Sequence, residues 1–371
     1  MNNVHGMVFA YQQFPELGEL GTYRTAGAMP FCGRYRLIDF PLSSMMNAGI
    51  SNVDVLMQLG YQSLIDHMGG GRPWNMVRHS GGLHLMPIGI GRAPFTGTMD
   101  ALEAIRYHLT NDIKEEYILM TRGGICANLD FNAMVEAHFA SGADVTAACT
   151  RQEPLRHVAH NRFVLADDGV TASELHCRQV DASHGGVVAL ATYILRRDKL
   201  LEMLDWCAEG NRTRLHRNAL LHFMSEGLKV NVYMHKGYAR FIGSIQDYYE
   251  ANMDMLNPDV LAQMFPEERP VATRARSDVS SYYGDAARVV DSLVADGCII
   301  EGELERCIVF RGARIEAGAK LKNCILMNDA VIGKGATLTN VITDKSVTIS
   351  PDTSLAGDAA LPLVVPKGRC L

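Results

Sequence analysis

Ile315-Glu-Ala-Gly-Ala, Ile332-Gly-Lys-Gly-Ala and Val347-Thr-Ile-Ser-Pro are pieces of one repeating stretch that runs from Ser292 to Ile349. Aliphatic residues return at spacings near six: Ile300, Ile308, Ile315, Leu321, Ile325, Ile332, Leu338 and Ile349. Gly or Ala falls between them. A period near six matches neither an amphipathic helix nor the alternation of a simple hairpin. It matches a parallel β-helix, in which an aliphatic side chain fills the interior of each rung and a small residue permits the corner. A β-rich sandwich is the competing reading. Coils of this kind stack and join subunits rather than perform chemistry.

Composition bounds the remainder. A chain of 371 residues exceeds one compact core, so two domains are expected. Hydrophobic content of 47% with 20% charged residues describes a folded, soluble protein. A net charge of −6 gives no reason to expect nucleic acid or an anionic membrane as partner. The cysteines are scattered, odd in number and without a CxxC pair, which favours reduced buried thiols over a disulfide framework or a zinc site. Met1-Asn-Asn-Val-His lacks a basic segment and an apolar core, and no run reaches membrane-spanning length. A cytoplasmic location is the expectation.

Upstream of the coil, strand and helix patterns alternate. Val4 to Ala10, Val53 to Met57, Tyr117 to Thr121 and Val145 to Cys149 read as strands. Asp100 to Leu109, Phe131 to Ala140, Lys199 to Ala208 and Leu215 to Ser225 read as helices, the last three stopped by Gly142, Gly210 and Gly227. This order predicts an α/β domain with a doubly wound, mostly parallel sheet, whose ligands sit at the carboxyl ends of the strands. The expected division is a nucleotide-binding-type domain over 1–256, a polar connector over 257–285 containing Pro258, Pro266 and Pro270, and the coil over 286–371.

Three motifs carry a family resemblance. Met29-Pro-Phe-Cys-Gly-Arg-Tyr-Arg-Leu-Ile-Asp-Phe-Pro-Leu-Ser-Ser-Met-Met-Asn-Ala-Gly-Ile, Gly97-Thr-Met-Asp-Ala and Tyr248-Tyr-Glu-Ala-Asn-Met-Asp-Met-Leu resemble segments of the ADP-glucose pyrophosphorylases, or glucose-1-phosphate adenylyltransferases. The order of motifs and the terminal coil agree, so the resemblance spans nearly the whole chain. It implies a nucleotidyltransferase-like sheet followed by a left-handed parallel β-helix. It also implies the family reaction, in which a nucleoside triphosphate and a sugar 1-phosphate are joined, with magnesium, and pyrophosphate leaves.

That reaction needs a Gly-rich loop that lets backbone N–H groups approach the phosphates, a cation for developing charge, and carboxylates for magnesium. The positions matching the family's machinery carry none of these. Its Gly-Gly-x-Gly-x-Arg loop falls on Tyr11, Gln12, Gln13, Phe14, Pro15 and Glu16. Glu16 replaces the loop arginine, and two like charges about 4 Å apart repel by roughly 4 kcal/mol at an effective dielectric near 20. Ala26 and Gly27 take the places of the lysine and proline of an Arg-Ala-Lys-Pro stretch. The two magnesium-binding aspartates of the family match Gly124 and Phe241. No Glu-Lys-Pro triplet occurs near Leu175 to Gln179. Gly97, Thr98 and Asp100 remain as a vestigial nucleotide pocket, although Asp100 is equally placed to cap a helix.

These losses imply a pseudoenzyme, and the family contains such a branch. It is a non-catalytic subunit of bacterial glycogen synthesis that pairs with a catalytic homologue. The resemblance therefore implies a regulatory subunit in a hetero-tetramer, a possible sugar-phosphate effector, and no cofactor on this chain, magnesium being held by the catalytic partner. The alternatives are an active transferase using Asp39, Asp54 or Asp130, and a non-catalytic sugar-phosphate or nucleotide sensor. Gly69-Gly-Gly-Arg-Pro-Trp reads as a flexible surface turn. His79 and His84 belong to no recognised metal spacing and read as solvated or core histidines.

Overall fold

The computed structural model describes residues 3–77, 81–89, 94–152, 160–179 and 186–371. It divides into two compact units. The first comprises Met1–Gln12, Ile38–Phe241 and Pro266–Ala272; the second comprises Gln13–Leu37, Ile242–Phe265 and Thr273–Leu371.

The first unit is built on a nine-stranded sheet. Strand Val4–Phe9 is buried along its whole length, as expected of an apolar run with parallel neighbours on both sides. It pairs in parallel with Val53–Met57 and with Tyr117–Arg122, and Leu83–Pro87 extends the parallel set. The long strand Val187–Arg196 runs antiparallel to Tyr117–Arg122, Val145–Thr150 and His160–Leu165. Strand Val230–Met234 lies parallel to Val145–Thr150. Helices follow local signals. Asp130 caps Phe131–Ser141 by accepting the Ala133 N–H at 3.0 Å, and Gly142 ends that helix at a φ of 60°. Helix Arg197–Glu209 matches its expectation. The pattern from Asp100 to Leu109 forms two short helices instead, Thr98–Glu103 and Arg106–Asn111. Around Gly69–Trp74 the turn is anchored rather than loose, because Trp74 is buried. His79 lies outside the described residues.

The second unit contains the coil. Three five-stranded parallel sheets form its faces. Ile300, Ile315, Ile332 and Ile349 stack in one of them through successive parallel pairs, all fully or nearly fully buried. Corners use left-handed backbone: Arg306, Asn323 and Asn340 have φ of 53°, 51° and 52°. At that corner the Asn323 side-chain amide donates to Asn340 Oδ1 at 3.2 Å, and Asn340 donates onward to the Gly357 carbonyl at 3.1 Å. Such a ladder gives polar corner groups partners from one rung to the next. The first rung strand, Tyr282–Tyr283, already lies within the stretch expected as connector, as does helix Pro258–Met264, started by an Asn257 cap and Pro258.

Gln13–Leu37 and residues 242–256, expected with the sheet, cluster with the coil, as do residues 257–265 of the expected connector. The reason is a buried ion pair. Arg24 donates through one terminal nitrogen to both oxygens of Asp344, at 2.9 and 2.8 Å, and the side chains are only 4% and 1% exposed. Tyr249 Oη donates to the Asn323 carbonyl at 2.9 Å, and the Cys32 N–H donates to Asn252 Oδ1 at 3.0 Å.

Removing one member of a buried ion pair strands the other, at a cost of about 3–5 kcal/mol. Arg24→Met and Asp344→Leu are each expected to lose that much in denaturant unfolding, and the double variant to lose less than either. A double variant as damaged as the sum of the singles contradicts the pairing.

Candidate functional site

At the carboxyl end of the parallel strands the side chains close on one another. Tyr11, two residues beyond strand Val4–Phe9, is buried; its hydroxyl donates to the Gly97 carbonyl at 3.0 Å, and its ring meets Phe95 edge-on at 5.6 Å. Burial raises its pKa, so it stays a neutral phenol. Gly97 is glycine because of close approach: a Cβ there lies 2.1 Å from the Thr213 carbonyl oxygen. Asp100 is spent on local structure. Its Oδ1 accepts from the Gly97 N–H at 3.0 Å, and its Oδ2 accepts from the Thr96 N–H at 2.7 Å. Capping is thus its observed role. Thr98 starts the helix and faces the strand ends.

Phe9, Gln12, Thr98, Met120, Arg122, Ala191, Tyr193, Leu215 and His216 enclose a cavity of about 40 Å³. One water occupies roughly 30 Å³ of liquid, whereas small-molecule sites hold about 300–1,000 Å³. No carboxylate lines this cavity. The Tyr193 hydroxyl and His216 Nε2 form a short hydrogen bond. Burial, aided by the charge of Arg122, pushes His216 down to about 3, so its imidazole is neutral and accepts.

Gly124 and Phe241, the positions that the resemblance sets against the family's metal ligands, lie close together. A short antiparallel pair, Ile125–Cys126 against Arg240–Phe241, sets Phe241 opposite Ile125, one residue from Gly124. What converges is not acidic. Arg122 lies with its guanidinium carbon 5.5 Å from the centre of the Phe241 ring, and His160 stacks on that ring at 6.2 Å. Desolvation pulls the Arg122 pKa down, but a guanidinium starts so high that it keeps its charge. A positive charge is therefore held over an aromatic face here, an arrangement that does not attract a divalent cation.

The rest of the degenerate loop behaves less uniformly. Gln12 lines the small cavity, Phe14 is half-buried, and Glu16 is exposed at the start of the helical turn Pro15–Leu17. Of the loop side chains, Tyr11 does the filling. The spare carboxylates are engaged elsewhere: Asp39 is buried against His67 Nε2 at 2.5 Å, Asp130 caps its helix, and Asp54 lies at the opposite end of the strands. Sequence reasoning missed Arg122, Tyr193 and His216. Arg122 had a signal, as a cation directly after an apolar strand; the other two did not.

A parallel-stranded nucleotidyltransferase sheet joined to a hexapeptide coil defines the class. The model for nucleotidyl transferases matches residues 20–258, and the GlmU-like C-terminal hexapeptide model matches 277–361. The chain belongs to the nucleotidyl transferase family, in the group that holds the glucose-1-phosphate adenylyltransferases. It is 32% identical to the glycogen biosynthesis protein GlgD of Bacillus subtilis, over 99% of this chain and 96% of that protein. It is 29% identical to the glucose-1-phosphate adenylyltransferase of Thermotoga neapolitana, over 86% of this chain and 76% of that enzyme. It is 28% identical to the corresponding enzyme of Halalkalibacterium halodurans, over 85% and 83%. No helix among the described residues is long and apolar enough to cross a membrane.

Gly124→Asp alone, and Gly124→Asp with Phe241→Asp, are expected to give no ADP-glucose in a pyrophosphate-release assay. The loop still lacks its glycines, and Arg122 still holds its charge beside the new acids. Turnover above background in the single variant contradicts this account.

Proposed function

We propose that this chain is a regulatory, catalytically deficient subunit of glucose-1-phosphate adenylyltransferase in glycogen biosynthesis, acting in the cytoplasm by assembling with a catalytic homologue as a hetero-tetramer. The observation that carries the reading is the pairing of Arg122 with Phe241 beside Gly124, a cation and an aromatic ring where the chemistry demands acids. The scaffold around it is intact, as the similarity across nearly the full length of GlgD supports. Magnesium and the adenylyl transfer then belong to the partner. A sugar phosphate is the class of effector in keeping with the family's substrates.

Assembly has a plausible physical basis in the coil. Its first rung is the edge of each of its three sheets, and Tyr282, Tyr283, Val289 and Val290 are exposed there. Open edges with apolar side chains favour pairing with another chain. Regulation then requires contacts that differ between two conformations of the partner, because a subunit that binds both equally shifts nothing.

The test uses the purified chain and a catalytic homologue from the same host. Mixed, they are expected to form one complex by mass and to change the rate or substrate response of ADP-glucose synthesis several-fold. Separate species with unchanged kinetics refute the reading. The chain alone, given ATP, glucose 1-phosphate and magnesium, is expected to stay silent; turnover above about 1 s⁻¹, the low end of ordinary enzymes, establishes the active-transferase alternative instead. Calorimetric binding of ATP or a sugar phosphate without any complex favours the sensor.

A further inference from the structure

A second polar cluster lies in the same unit, at the amino ends of the strands. Asp54 is fully buried, yet three imidazoles meet its carboxylate. His5 Nε2 stands 2.8 Å and His108 Nε2 2.9 Å from the same oxygen, Oδ2, while His84 Nδ1 stands 3.0 Å from Oδ1. His5, Asp54 and His84 are each the second residue of neighbouring parallel strands, Val4–Phe9, Val53–Met57 and Leu83–Pro87. His108 comes from helix Arg106–Asn111.

The outer nitrogens decide what the cluster does. His108 Nδ1 is 3.0 Å from Asp112 Oδ2, and His5 Nδ1 is 3.5 Å from Glu115 Oε2. His108 is thus hydrogen-bonded to a carboxylate at both nitrogens, whereas His5 has one at Nε2 and, at Nδ1, only the more distant Glu115. A neutral imidazole has one N–H and one lone pair. When the outer N–H faces its carboxylate, the inner lone pair points at Asp54, and two lone-pair groups repel unless positive charge lies between them. Two imidazole nitrogens and a carboxylate oxygen, all within 4.8 Å of one another, are close enough together to share one metal ion. Asp112 and Glu115 stand where outer-sphere carboxylates fix the tautomer of ligating histidines.

We propose that His5, Asp54 and His108 bind one divalent transition-metal ion of the zinc type, with Asp112 and Glu115 orienting the two histidines. Mixed imidazole and carboxylate donors without thiolate favour zinc over magnesium or calcium. Metal–ligand distances near 2.0–2.1 Å put neighbouring ligand atoms of a tetrahedron about 3.3 Å apart, so the two contacts to Oδ2 open by about half an ångström. His84 is 42% exposed and His108 is 20% exposed, which marks the side of entry and of the fourth position. The site ties two strands, Val4–Phe9 and Val53–Met57, to one helix and is structural.

Protons are the rival occupant. Burial lowers the His5 pKa, but the hydrogen bonds and charges of Asp54 and Glu115 outweigh it and raise it to about 9. An imidazolium cluster of that kind repels zinc.

The experiment takes the full chain with the exposed Cys370 replaced by Ser, strips it with a chelator, and titrates zinc chloride at pH 7.5 by calorimetry, with the melting temperature read in parallel. One ion per chain, micromolar or tighter, with a raised melting temperature and an X-ray absorption spectrum showing nitrogen and oxygen neighbours only, is expected. His108→Gln, on the accessible rim, is expected to weaken binding at least a hundredfold. Asp112→Asn is expected to weaken it about tenfold, in line with outer-sphere losses. Magnesium chloride is expected not to compete. No zinc uptake by the folded parent, sulfur in the zinc shell, or unchanged affinity in folded His108→Gln overturns the proposal.

Discussion

Parallel pairing of strand Val4–Phe9 with Tyr117–Arg122 on one side and Val53–Met57 on the other is the constraint from which the first unit follows. Parallel strands gather all their carboxyl ends at one edge and all their amino ends at the other. Register then decides which side chains meet. At the carboxyl edge Phe9 lies level with Arg122, which brings the guanidinium to the cavity and to Phe241. Near the amino edge Asp54 lies level with both Met7 and His84, which brings one carboxylate among three imidazoles. The two clusters differ in chemistry, although one hydrogen-bonding pattern positions both.

At the carboxyl edge the framework is complete and the side chains within it close on one another. The sheet, the short pair at Phe241 and the capped helix at Thr98 are in place. The Tyr11 hydroxyl is hydrogen-bonded to the Gly97 carbonyl, Tyr193 is hydrogen-bonded to His216, and the Arg122 guanidinium lies over the Phe241 ring. Any incoming group must break those contacts before it gains its own.

In the second unit the buried Arg24–Asp344 pair does for the coil what register does for the sheet. Buried charges are weak evidence of stability, since both lose hydration. Their value is placement, because Arg24 has its counter-charge at one point of the rung ladder. That explains why residues 13–37 cluster with the coil and not with the strand that precedes them in the chain.

Much of this was legible in the chain alone. The spacing of Ile300, Ile315, Ile332 and Ile349 announced the coil, because every rung must place an aliphatic residue inside. The continuous apolar runs at Val4, Val53, Tyr117 and Val145 announced buried parallel strands. Strands Leu83–Pro87, His160–Leu165, Ala172–Gln179 and Val230–Met234 went unforeseen, since edge and mixed strands are often neither fully apolar nor cleanly alternating; Val187–Arg196, a central and nearly continuous apolar run, carried a signal that the reading passed over. The helix from Asp100 to Leu109 broke because tertiary packing outweighs a periodic pattern in so short a segment. Only the tertiary structure joined Arg24 to Asp344, Arg122 to Phe241, and His5, His84 and His108 to Asp54. Local sequence fixes which element a residue enters, through periodicity and capping. Which charges face one another across elements depends on register and long-range packing, and no spacing along the chain encodes these.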